Sequence, residues 1–444
     1  MTSPTTARRP APPAQPAESL RAHWLHGAGV GVLLQGMGLV LAFASSVLVA
    51  RLLGPHGLGQ YSYVLAIVAV LSIIATLGLP TVIARLLAAY QTKGEWEQAR
   101  GLLRWSHLLV GATGLLLGLG LIVGGIVRDW GEQRWLYFLA APLVVVLAWA
   151  NLRQRALQGL HRPLAAQLPE QFIKHTVFIS VGGTLWIAGH QFVTRSDGVM
   201  AVWLLAGLAS LLFGAALLRR LSPPELREAE SQYKPGEWLK IALPIFIADV
   251  LGVVLVNSDT IILGWLRSPE EVGLYQVAFR LSGLMLVLLG ASNWVLAPWF
   301  ARFHATSEKG RLQRVVTRTT RAIFAVTVML YLVVVLSGEA LLGMFFGETF
   351  VESYPVLLIL GAGQLVNVAS GPVVNLLAMT GGQRELAWSV AATVVLNIIL
   401  CMLLIPVYGL IGAAMSVAVS TSVYNVLLAA VVKRRSGIAA TIWG

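Results

Sequence analysis

Apolar runs of about twenty residues, each long enough to cross a hydrocarbon core roughly 30 Å thick, recur along this chain between short polar breaks. The pattern predicts twelve membrane-spanning helices. In the first half they cover 30–50, 61–84, 106–127, 135–152, 173–193 and 198–218; in the second, 239–258, 274–297, 319–337, 354–378, 386–405 and 411–432. Short connections at 51–60, 128–134, 194–197, 259–273, 338–353 and 406–410 then share one side. Both termini lie on the other, with loops at 85–105, 153–172, 219–238, 298–318 and 379–385.

One stretch occurs twice. Val47–Tyr61 reads VLVARLLGPHGLGQY and Ile261–Tyr275 reads IILGWLRSPEEVGLY, so an offset of 214 positions superimposes Leu52 on Leu266, Pro55 on Pro269, Gly59 on Gly273 and Tyr61 on Tyr275. The pattern predicts a tight hairpin in each half, with proline and glycine breaking the helix where it leaves lipid and tyrosine anchoring the next helix at the interface. Each half holds an even number of spans. The fold class expected is therefore an all-α polytopic membrane protein of two six-helix lobes, parallel repeats about an axis along the membrane normal with a cleft between them. The domain layout is a disordered cytosolic tail at 1–22, an N-lobe at 23–218, a cytosolic linker at 219–238, a C-lobe at 239–432 and a cytosolic tail at 433–444.

Composition agrees: 57% of the residues are hydrophobic and 12% charged. The net charge of +12 is informative only when divided by side. Of the 32 Lys and Arg, 26 fall on the side of the termini and five on the opposite side, leaving Arg280 alone inside a span. That asymmetry predicts cytosolic termini in a multi-pass protein of the cytoplasmic membrane. The proline-rich first twenty residues, with Arg8 and Arg9, lack the apolar stretch of a signal peptide.

No loop is long enough to fold as a catalytic domain. There is no Walker A motif and no His/Cys metal cluster, Cys401 being the only cysteine. Neither a cofactor, nor a metal, nor a nucleic-acid partner is implied, and the chain reads as a transporter and not an enzyme. Candidate chemistry lies in polar residues inside spans, since these are costly in lipid unless they face protein or water. Arg280 falls about 9 Å below the end of its helix, with Gln276 one turn earlier on the same face. It reads as a cation for a phosphate in a wet cleft, or as a packing arginine paired with Asp249 or snorkelling outward. Asp249, with Asn257 eight residues on, reads as a proton or sodium site coupling transport to an ion gradient, or as the counter-ion of Arg280. Gln364, Asn367, Gly371 and Asn375 form a stripe suited to sugar hydroxyls or to interhelical packing, with Pro372 loosening the helix. Gln35, Gly38, Ala42 and Ser46 make a weaker face on the first span. Arg302–Arg321, with six basic residues, and Arg153, Arg155 and Arg162 read as cytosolic charge facing anionic lipid heads, or as recruitment of a pyrophosphate headgroup.

VARLLGPHGLGQYSYVLAIVAVLSIIATLGLPTVIAR at Val49–Arg85 resembles the opening of the Wzx-like polysaccharide and oligosaccharide flippases of the MOP superfamily, relatives of the MATE exporters and lipid II flippases. GLYQVAFRLSGL at Gly273–Leu284 looks like that family's eighth span, and GLIGAA at Gly409–Ala414 like its final hairpin. The resemblance implies alternating access by two lobes. It also implies an undecaprenyl-diphosphate-linked oligosaccharide cargo, moved from the cytosolic to the periplasmic leaflet for cell-surface polysaccharide synthesis. Membrane lipids surround such a protein, and a polysaccharide polymerase and glycosyltransferases are its expected partners. Related precursor flippases carry an arginine in the eighth span of a cationic cavity, and Arg280 matches it. Here the first span has no internal arginine, since Arg51 lies at its outer end. A cation-coupled multidrug or organic-solute exporter of the same superfamily is the alternative.

Overall fold

The computed structural model describes residues 17–128, 133–287, 289–290, 309–379 and 381–444, with side chains from residue 34 onward apart from 127, 128 and 309. Every regular element among the described residues is helical. In the first half these are α1 (Ala17–Thr76), α2 (Leu79–Lys93), α3 (Trp96–Arg128), α4 (Arg134–Gly159), α5 (Pro163–Leu168), a π-helical turn (Pro169–Ile173), α6 (Lys174–Ile187) and α7 (Ser196–Leu221). A short α8 (Pro224–Glu228) leads into the second half. There follow α9 (Pro235–Leu266), α10 (Pro269–Gly283), α11 (Lys309–Phe346), α12 (Tyr354–Ala369), α13 (Val373–Met379) and α14 (Gln383–Ser436).

Among the described residues, eight helices are long and apolar enough to cross a bilayer. Two of them are too long to cross once: at 1.5 Å per residue, the 43 residues of Leu34–Thr76 and the 54 of Gln383–Ser436 reach about twice the roughly 30 Å of hydrocarbon or more. Each is broken by a glycine that leaves helical geometry, Gly54 (φ 63°, ψ −177°) and Gly409 (φ 58°, ψ −133°). Positive φ costs glycine nothing, and Pro55 restarts the helix with its missing N–H where no bond is needed. Counting those two twice gives ten crossings among the described residues, and α5–α6 and α10 lie where the fifth and eighth of the twelve expected spans fall. In the second copy of the repeat the same break is made by capping. Arg267 is extended, Ser268 accepts the Glu271 N–H at 3.5 Å, and Pro269 opens α10.

The two copies pack on each other. A Cβ on Gly59 would lie 1.6 Å from the Pro269 carbonyl oxygen, and one on Gly273 would lie 2.0 Å from that of Pro55. Offset by 214, each contact is the image of the other, an arrangement as self-complementary as a two-fold dimer contact. His56 and Glu270, also equivalent positions, hydrogen-bond beside it. Arg51 Nε donates to the Phe345 carbonyl at 2.8 Å, and Phe43 meets the Phe345 ring edge-on at 5.4 Å. The lobes are thus closed at the hairpin end, and one apolar core runs from Val49 and Tyr61 through Val272 and Tyr275.

Several boundaries differ from expectation because polar residues continue helices that the hydropathy pattern ended. The segment 153–172 is not a loop: α4 runs to Gly159, α5 starts at Pro163, and Arg153 is buried inside the bundle. Residues 309–318 open α11 and 338–346 close it, so a basic face and a non-helical stretch are both one helix. Residues 17–22 of the expected disordered tail are helical, and 1–16 lie outside the described residues, as does 302–308 of the basic segment. Tyr61 and Tyr275 are 2% and 0% exposed, which places them in the core and not at an interface as anchors. The C-terminal stretch is packed: Ile438 and Ala440 are buried against Leu312, Val316 and Leu428. Gln313 holds the Ala439 carbonyl at 2.7 Å.

Candidate functional site

Below the hairpin crossing, a cavity of about 340 Å³ lies between the lobes. From the first lobe Ser45 and Ser46 (α1), Tyr61 (α1, past the Gly54 break), His175 (α6) and Trp203 (α7) face it; from the second, Arg280, Gly283 and Leu284 do. Ala42 and Ser46, from the weak face read on the first span, are part of this lining. Gly38 on the same face instead makes room for Gln171, whose Oε1 would lie 2.9 Å from a Cβ there. Arg280 makes no hydrogen bond or ion pair among the described residues. A cation held in an intramembrane cavity without a partner is an expensive arrangement that fits an anionic ligand.

Among the eight side chains singled out in the sequence, this lining includes Arg280 and none of the other seven. Gln276 donates from Nε2 to Thr260 Oγ1 at 2.6 Å, tying α10 to α9. Asn257 donates to the Val253 carbonyl of its own helix at 2.8 Å. Asp249 is half-buried with Arg155 as its charged neighbour, so it is not the counter-ion of Arg280. Asn367 donates to Gln364 Oε1 at 3.2 Å, so these amides engage each other. The stripe they begin is interrupted: α12 stops at Ala369, Gly371 takes φ 75°, and Asn375 belongs to the separate α13. Pro372 thus breaks the helix where loosening was expected. Gln35 is half-buried on α1 outside the cavity lining.

The first lobe's side of the cavity is backed by a chain of charges that the sequence concealed. Arg153, 2% exposed, donates from Nη1 to the Ser210 carbonyl at 2.6 Å and from Nη2 to Glu170 Oε1 at 2.8 Å. Gly214 on α7 leaves the slot, since a Cβ there would lie 2.2 Å from that guanidinium. Glu170 also accepts from Ser210 Oγ at 2.9 Å and from Lys174 Nζ at 3.0 Å. The Lys174 ammonium stands 5.3 Å from the Trp203 ring centre. Ser45 Oγ lies 3.0 Å from His175 Nδ1, and Trp203 meets that imidazole edge-on at 5.7 Å. The π-helical turn at Pro169–Ile173, carrying Glu170, inserts an extra residue per turn and so resets the face that α6 presents. The available signal was Glu170 and Lys174 at i and i+4, next to His175. The density of arginines at 153–162 made that segment read as a loop.

The second lobe holds a polar core without basic groups. Tyr275 donates to the buried Asp259, whose Oδ1 has no partner, and Asn397 donates to Ser258 Oγ at 3.0 Å while accepting from Ser420 at 2.8 Å. A wider cleft of about 1090 Å³ opens at the hairpin end of the first lobe. Its cations are engaged: Arg195 with Asp197 at 3.1 Å, and Arg134 with the Trp135 ring at 5.7 Å. The unpaired cation of Arg280 therefore marks the smaller cavity as the candidate site.

Comparison with known proteins agrees with this architecture. The family profile described as "Polysaccharide biosynthesis protein" matches residues 25–304. The chain is 23% identical over 399 residues to the "Probable low-salt glycan biosynthesis flippase Agl15" of Haloferax volcanii, covering 88% of this chain and 79% of that protein. Among solved structures it is similar to the inward-facing conformation of a multidrug resistance MATE family transporter of the MOP superfamily. That match has a TM-score of 0.71 at 15% identity, over 90% of this chain and 94% of that one. It is similar also to the lipid II flippase MurJ in its inward closed conformation, with a TM-score of 0.70 at 11% identity over 90% and 87%. The chain shares its fold with both of these transporters.

Proposed function

The chain belongs to the polysaccharide biosynthesis protein family, and from that premise we propose that it is a flippase for polyprenyl-diphosphate-linked oligosaccharide. It is a transporter, not an enzyme, and works by alternating access between its two lobes. The observation that carries the reading is Arg280, a cation without a partner among the described residues, in a cavity built from both lobes. The diphosphate of the carrier would satisfy it, hydroxyl and imidazole groups around it would meet the sugar, and the polyprenyl tail would remain in lipid. Closure at the hairpin end supports loading from the end that bears the termini. The excess of Lys and Arg there supports its being cytosolic, with release into the periplasmic leaflet of the cytoplasmic membrane. Such cargo is made by glycosyltransferases and consumed by a polysaccharide polymerase, the partners this role implies.

A multidrug exporter of the same superfamily would take organic cations and would need a carboxylate in the cavity; among the described residues the lining contains none. The test is complementation of a strain lacking its capsule or O-antigen flippase. Wild-type protein restores surface polysaccharide, and Arg280→Ala, present in the membrane at equal level, does not. Normal surface polysaccharide with Arg280→Ala would remove Arg280 from the mechanism.

A further inference from the structure

His175 faces Arg280 from the opposite lobe, and its protonation pattern can be deduced from its neighbours. Ser45 donates its hydroxyl proton to the Leu41 carbonyl of its own helix at 2.9 Å. With the hydroxyl proton assigned to that bond, the Ser45 oxygen accepts from His175 Nδ1, 3.0 Å away, which assigns the proton of the neutral imidazole to Nδ1. Nε2 is left as an acceptor, and it has no partner among the described residues. The ring is held by the Ser45 bond on one side and by the edge-on Trp203 on another, with Trp203 in turn beneath Lys174. A fixed imidazole is thus poised to accept one hydrogen bond, in the same cavity as a cation that lacks an anion.

These two groups ask for different things of one ligand. Arg280 requires negative charge, and a bare diphosphate supplies it. Nε2 of His175 requires a donor, which an ionised diphosphate does not have and a sugar hydroxyl does. The cavity, at about 340 Å³, lies near the lower end of the roughly 300–1,000 Å³ usual for small-molecule sites. It suits a diphosphate with its adjoining sugar and leaves the remainder of a longer glycan outside. Resting on the flippase reading above, we propose that His175 accepts a hydrogen bond from the sugar next to the diphosphate. It thereby separates glycosylated carrier from bare carrier diphosphate, with Ser45 as the residue that positions it.

The test measures binding of two short-chain probes to the full-length protein in detergent: farnesyl diphosphate, and farnesyl-diphosphoryl-N-acetylglucosamine. One well-oriented hydrogen bond predicts that wild type holds the sugar-bearing probe about tenfold more tightly. In His175→Phe that ratio falls to about one while farnesyl diphosphate affinity stays the same, and His175→Gln, which keeps an acceptor, recovers part of it. A tenfold ratio that survives in His175→Phe overturns the proposal, as does an equal loss for both probes. If wild type binds both probes equally, the role of His175 falls and that of Arg280 stands. If neither probe binds, or Arg280→Gln leaves the affinity for farnesyl diphosphate unchanged, the flippase reading of the cavity falls and this proposal with it. Should His175→Phe fail to fold, Ser45→Ala decides: it releases the Nδ1 proton, and a ratio that does not drop overturns the proposal.

Discussion

Arg153 and Arg280 are both arginines in the middle of a membrane bundle, and their surroundings are opposites. Arg153 sits in a slot cut by Gly214, bonded to the Ser210 carbonyl and to Glu170, itself shared with Lys174 and Ser210. Arg280 lines a cavity with no bond or ion pair among the described residues. The pair shows that charge in lipid has two stable uses. Arg153, bonded at both terminal nitrogens with only its Nε lacking a partner among the described residues, ties α4 to α7 and to the π-helical turn; an arginine without such bonds beside a void suits a ligand.

Substitution separates the two uses. The largest effect expected is on Arg280→Ala: surface polysaccharide is lost in the complementation assay, while the thermal unfolding midpoint of the purified protein does not fall. A clear drop in that midpoint would mean that Arg280 is structural after all. Glu170→Ala should show the reverse emphasis. It strands a buried guanidinium and an ammonium, a change that costs about 3–5 kcal/mol when a buried pair loses one partner, read as a lowered denaturation midpoint. A midpoint equal to wild type would show that Arg153 is not held by Glu170. Lys174→Met removes only one of the groups bonded to Glu170, which keeps Arg153 and Ser210, so about 1–2 kcal/mol is expected in the same measurement.

The smallest effect belongs to the exposed pair at the hairpins. The hydrogen bond from His56 holds the Glu270 carboxyl below its ordinary range, so it is the ionised form that the folded state favours. Its contribution is therefore present above the usual glutamate value of about 4.3 and is lost as pH falls through the depressed folded value. Both side chains are about half exposed, so roughly 0.5 kcal/mol or less is at stake. Unfolding midpoints of wild type and Glu270→Gln should differ slightly at neutral pH and converge in acid. A gap that widens on acidification contradicts the assignment.

Much of the architecture was legible because lipid imposes it. Twenty apolar residues must cross, the basic residues gather at one end, and Pro55/Pro269 and Gly59/Gly273 announce the repeat. Arg280 could be singled out for the same reason, being the one basic residue well inside a span. What could not be read were relations between distant positions. Nothing near Ser45 announces His175, which lies 130 residues away in the chain. Nothing near Arg153 tells that Gly214 leaves it space. The amide stripe at 364–375 was read with ideal helical spacing, and one glycine at positive φ removed the continuity on which that spacing depends. Arg153 was read as a cytosolic surface charge, as the exposed Arg155 and Arg162 are, because the pairing that permits its burial leaves only a faint i,i+4 trace at Glu170 and Lys174.

The crossing of Gly59 over Pro269 and Gly273 over Pro55 has a corollary for how such a transporter could diversify. Bare α-carbons rest there on main-chain oxygens, so the centre of the seal depends on the polypeptide spine, with side chains such as Arg51 and Phe43 reinforcing it from beside. Residues that line the cavity, one to three helical turns deeper, can be exchanged without altering how the door shuts. A lock whose wards can be recut while its bolt stays the same admits many keys.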